Sequence, residues 1–122
     1  MLISIFRIKG SEQSLTYLTE KIDIFDDEIM QDDKGRINGI NIDISESSSL
    51  YSHFEELSKF LNKFSSVIQS SSSHGCHWTL DIGCSVGEKN IYARFLSFSP
   101  EILEKLVSNK IHLEISAYPA GD

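Results

Sequence analysis

Cys76 and Cys84 are the only cysteines in the chain, too few for the disulfide framework that a small secreted protein uses in place of a large core. Free buried thiols and a cytoplasmic address are the expectation. Bases are scarce as well: eleven Lys and Arg stand against eighteen Asp and Glu, and the sequence pI is about 5.0. Binding DNA or RNA through phosphates needs clustered Lys and Arg, so nucleic acid is not an expected partner. The apolar start of the chain carries no basic residue ahead of it and is broken by Ser4 and Arg7, which fits neither a secretion signal nor a membrane span. The seven glycines are scattered and form neither a phosphate loop nor a dinucleotide fingerprint, so no nucleotide cofactor is expected. Serine is abundant at 45–49 and 70–73, but no Gly-x-Ser-x-Gly elbow anchors a hydrolase.

The remaining composition, 40% hydrophobic and 24% charged, is that of a soluble globular protein. A chain of 122 residues fits one domain, spanning 1–122. Residues 2 to 8 read as a strand with apolar residues on both parities, which suits a strand covered on both faces or inside the sheet. Ser11 is a helix N-cap ahead of Leu15, Leu18 and Ile22 at helical spacing. A turn at Asp32-Asp33-Lys34-Gly35 then separates a weak strand, residues 28 to 31, from the alternation of Ile40, Ile42 and Ile44 with Asn41, Asp43 and Ser45.

Leu50, Phe54, Leu57, Leu61, Phe64 and Ile68 step by fours and threes, which predicts a core helix over residues 49 to about 69. Residues 70 to 75 read as a flexible loop and 77 to 84 as a half-buried strand; residues 91 to 97 read as its hairpin partner. Ser99-Pro100-Glu101 starts a third helix, with Asn109 as a left-handed C-cap, and the last strand alternates from Ile111 until Pro119. The predicted order is β-α-β-β-α-β-β-α-β. The implied class is α+β, a mostly antiparallel sheet with about three helices on one face, in a ferredoxin-like or related two-layer sandwich.

Charge is concentrated in one stretch. From Asp23 to Glu46 eight acids face two bases, Lys34 and Arg36, while the rest of the chain holds ten acids and nine bases. With the three isoleucines turned inward, Asp43 lies on the opposite, wetter face of its strand, with the hairpin acids close by. Asp26, Asp27, Glu28, Asp32, Asp33 and Asp43 are therefore the expected contact set for a basic protein partner. The same acids also suit a solvated edge that resists sheet-to-sheet aggregation. They do not make a standard calcium loop, because counting back from Gly35 places Met30 where the first aspartate belongs. Glycosidic chemistry by a carboxylate pair lacks interleaved aromatics.

His74, Cys76, His77 and Cys84 form the one thiol and imidazole cluster. Zinc ligands come in pairs separated by two to four residues, whereas Cys76 and His77 are adjacent and diverge on a strand. A cysteine nucleophile at Cys76 meets the same objection. No metal, cofactor or catalytic residue is expected.

Three segments carry a resemblance: the helix centre His53-Phe-Glu-Glu-Leu57, then Phe98-Ser-Pro-Glu-Ile-Leu-Glu-Lys-Leu106, and the closing Leu113-Glu-Ile-Ser-Ala-Tyr-Pro119. From residue 39 to 119 the pattern resembles an uncharacterised bacterial family, domain of unknown function 4279. The resemblance implies no catalytic residues, and relatives of this size are similar to small immunity proteins encoded beside secreted bacterial toxins. The expected function is a non-enzymatic immunity protein that neutralises a basic toxin domain, such as a nuclease, through its acidic face. Two alternatives are a small enzyme or metal-binding domain using residues 74 to 84 and a homo-oligomeric adaptor.

Overall fold

A computed structural model of the chain describes residues 1–24, 28–87 and 93–119. The first strand, β1 (Leu2–Lys9), lies in the middle of a five-stranded sheet, with β3 (Ile37–Ser47) and β4 (His77–Val86) antiparallel on its two sides. β2 (Ile29–Gln31) adds antiparallel to β3 at one edge, and β5 (Ile111–Pro119) adds parallel to β4 at the other. The order β2-β3-β1-β4 with helices after β1 and β3 is the ferredoxin-like β-α-β-β-α-β arrangement. A third helix and β5 extend it beyond β4. The α+β two-layer class expected from the sequence is what the chain adopts.

The helices α1 (Glu12–Lys21), α2 (Leu50–Ser73) and α3 (Pro100–Ser108) lie side by side, with α2 touching both others. One core joins Leu15 and Leu18, Leu57, Leu61 and Ile68, and Ile102 and Leu106 from the helices to Phe6, Ile40, Trp78 and Leu80 from the sheet. Among the described residues no helix lies on the opposite sheet face, so β1 is inside the sheet but covered by helices on one side. Leu2, Phe6 and Ile8 are buried, while Ile3 is 44% exposed. Among the described residues no helix is long and apolar enough to cross a membrane.

The three helix starts follow the sequence signals. The Ser11, Ser49 and Ser99 hydroxyls accept from the backbone N–H groups of Ser14, Ser52 and Ile102, satisfying donors that the first turn leaves free. The end of α2 differs from expectation. The serine run at 70–73 is its last turn rather than a loop, closed by Gly75 at φ 96 and by Cys76 N–H donating to the Ser71 carbonyl and Gly75 N–H to that of Ser72. This is the left-handed closure for which glycine is suited.

Three other expectations change. Residues 93–97 form no strand, and Ile91 and Tyr92 lie outside the described residues; both sides of β4 are taken by β1 and β5, so no edge is left for a hairpin partner. Ile40 and Ile42 are buried and Ile44, partly buried, packs against the same core, but it does so as the extra residue of a bulge, since Ser4 pairs with Ser45 and Ile5 with Asp43. At the end of α3, Asn109 has φ −96 and the left-handed residue is Lys110, at φ 56.

Candidate functional site

The acidic hairpin is organised from within by one of its own carboxylates. Gln31 pairs with Ile37, and Asp32 N–H donates to the Arg36 carbonyl at 2.9 Å while Gly35, at φ 76, donates back to the Asp32 carbonyl at 3.0 Å. The Asp32 side chain closes the turn: Oδ1 accepts from the N–H groups of Lys34 and Arg36, each at 2.9 Å, and Oδ2 lies 3.2 Å from the Arg36 guanidinium. Such Asp-centred turns satisfy several backbone donors with one side chain. Asp32 is thus committed to the turn, and Asp33 beside it is exposed. Glu28, just before β2, is half-buried and holds a polar contact. Asp26 and Asp27 lie outside the described residues.

Asp43 is exposed on β3 opposite Ile5, on the helix-free face as expected. It is not beside the hairpin acids. Seven residues of extended chain separate it from Arg36, about 20 Å at the rise of a strand. β2 pairs only with residues 37–40, so among the described residues no strand covers the outer side of β3 from 41 to 47. Asp43 and the exposed Glu46 lie along that stretch. The acids therefore form a long edge rather than a compact patch. Bases from α2 also reach it: Asp43 and Ile44 share a shallow concavity with Glu56, Lys59, Phe60 and Lys63. Within that concavity Lys59 pairs with Glu56 at 3.3 Å.

The four residues of the thiol and imidazole cluster do not converge. His74 ends α2, its Nδ1 2.7 Å from the Ser70 carbonyl and its ring stacked on Tyr17. Cys76 is buried, its thiol 3.6 Å from the Ser14 carbonyl, and burial pushes its pKa up despite a hydrogen bond with Ser71. A raised thiol pKa disfavours the reactive thiolate. His77 points outward against His112, with ring centroids 4.2 Å apart, and Cys84 is buried near the far end of β4. Among the described residues no group of three or more His, Cys, Asp or Glu is placed to hold a metal ion.

Two polar constellations were not legible from spacing. On the helix-free face the Arg7 guanidinium bridges Asp81 at 3.0 Å and Glu114 at 2.9 Å, and Ser116 Oγ donates to Asp81 at 3.0 Å. Asp81 is only 7% exposed although its alternation marks it as outward-facing. The three charges come from β1, β4 and β5, so strand order has to be known before the cluster can be seen. The second constellation lies under α2, where His53 Nδ1 is 2.7 Å from Ser4 Oγ and Nε2 is 3.0 Å from the Ser47 carbonyl. A hydroxyl beside an imidazole is the start of a nucleophile pair, but His53 and Ser4 are 1% and 2% exposed. This pair ties α2 to β1 and to the end of β3.

Compared with protein-family models, curated proteins and solved structures, the chain matches none.

Proposed function

We propose that this chain is a non-enzymatic binding protein that docks a basic protein partner along the β2–β3 edge, acting as an immunity protein against a bacterial toxin domain. The observation that carries this reading is the outer side of β3 at residues 41–47, where no strand pairs among the described residues, flanked by exposed Asp43 and Glu46 with Asp33 at the hairpin end. An open strand offers main-chain donors and acceptors to an incoming segment. Carboxylates along it favour a cationic partner, speed encounter and disfavour an acidic competitor.

Asp33, Asp43 and Glu46 are the test positions, since Asp32 holds the turn. Reversing all three to lysine is expected to slow association with a basic bacterial toxin domain of the nuclease type by about tenfold or more at low salt. The salt dependence of the rate should flatten with it. Stopped-flow binding at several ionic strengths measures both, and unchanged affinity and salt dependence in the triple variant would reject the acidic-edge reading.

A further inference from the structure

The two edges of the sheet are finished differently. β2 is three residues long, meets β3 through a register shift and runs into Asp32 and Asp33, all devices that discourage another strand from pairing there. β5 is neither short nor shifted in register, and its one carboxylate, Glu114, is held by Arg7. It is nine residues long, and its register with β4 runs without a shift from Trp78↔Ile111 to Val86↔Pro119; it contains no lysine and no proline before its last residue. Among the described residues no strand lies beyond it.

The side chains along this edge are apolar on the helix side. Leu113 and Ile115 pair with the buried Leu80 and Ile82 of β4, so they share the core-facing side of the sheet, yet they are 37% and 48% exposed. On α3, Ile102 and Leu106 point into the core, and Glu101 and Ile102 share a concavity with Tyr51 and Phe54 of α2. Helical geometry then turns Leu103 and Val107 to the flank away from α2, over the β5 edge. They are 42% and 75% exposed and line a concavity formed by α3 residues, among them Glu104 and Ser108. An apolar seam of this kind on an unblunted edge calls for a cover.

We propose that the cover is a second copy of this chain, paired antiparallel β5 to β5 about a two-fold axis perpendicular to the sheet. The strand is self-complementary in one register. With Leu113 opposite itself, His112 faces Glu114 of the second copy, and Glu114 faces His112 of the second copy, on the helix-free side. Ile111 faces Ile115 of the second copy on the helix side. Shifting the centre to Glu114 would oppose two carboxylates. Glu114 is held by Arg7 through Oε1 and offers Oε2 to the imidazole of the second copy. The axis also brings the Leu103 and Val107 flanks of the two α3 helices toward one another, and the two five-stranded sheets become one of ten strands. This inference does not rest on the acidic-edge reading, which concerns the opposite side of the sheet.

Sedimentation equilibrium over a wide concentration range tests it. The wild-type chain is expected to dimerise, and Leu113→Lys, which sets two ammonium groups face to face, to remain monomeric with an unchanged circular dichroism spectrum. Leu113→Cys is expected to form a disulfide-linked dimer on mild oxidation, read on a non-reducing gel with the buried Cys76 and Cys84 as internal controls. Should Leu113→Lys fail to fold, Val107→Glu on the neighbouring flank is expected to weaken the dimer at least tenfold. A wild-type chain that stays monomeric throughout would overturn the proposal, as would a dimer that survives Leu113→Lys or a Leu113→Cys protein that does not cross-link.

Discussion

Ser71 shows how one hydroxyl can decide the packing of a much larger side chain. Trp78 is fully buried, and its indole N–H must find an acceptor or remain desolvated at a cost. Ser71 Oγ accepts it at 2.9 Å and donates its own O–H to the Ile68 carbonyl at 2.8 Å. Ser71→Ala is therefore expected to destabilise the fold by about 1–3 kcal/mol. Ser73→Ala, at an exposed position of the same run, should change stability by less than about 0.5 kcal/mol. Urea denaturation of the two variants checks the contrast. The sequence places Trp78 in the core through its alternation with Leu80 and Ile82, but it gives no sign that the partner comes from a serine run that resembles a linker.

At the scale of elements, legibility follows the distance along the chain over which the deciding interaction acts. Caps are local, so Ser11, Ser49 and Ser99 are readable as helix starts. The hairpin is local too, and its turn depends on one residue: Gly35, at φ 76, sits where a β-carbon is strained. Gly35→Ala is expected to cost about 1 kcal/mol and to loosen β2 before the rest of the sheet, which amide hydrogen exchange at residues 29–31 and 37–40 resolves. The C-terminal turn of α2 is hidden behind a serine run that reads as a loop, although Gly75, at φ 96, closes the helix in the left-handed region. Propensity argued against it, since serine competes with the helix for its own backbone. Burial of Ser71 beneath Trp78 outweighs that preference. The bulge at Ile44 could not be read, because it arises in the pairing of β3 with β1, more than thirty residues away in sequence.

Across the whole molecule, the sheet presents two unlike edges and one helix-free face. The acidic residues could be counted in sequence and assigned to a hairpin edge, and β2 is indeed at the sheet edge. Their grouping could not be foreseen. Asp43 lies seven residues along β3 from the turn, and α2 folds Lys59 and Lys63 against the same edge. The Arg7, Asp81 and Glu114 cluster was hidden for the same reason, since it exists only once β1, β4 and β5 are neighbours. Charge composition is a property of the chain, whereas charge placement belongs to the topology.

The central position of β1 has a consequence for how the molecule is made. During synthesis β1, which needs both neighbours, emerges well before the second of them, since β4 begins only at His77. Until then Phe6 and Ile8 lack Trp78, Leu80 and Ile82, and one whole side of β1 has no hydrogen-bond partner. Non-local pairing of this kind is slow and leaves apolar surface open meanwhile. A fragment of residues 1–75 is accordingly expected to give no cooperative thermal transition, whereas the full chain gives one by circular dichroism. The nascent chain must carry the centre of this sheet unfinished until β4 has been made.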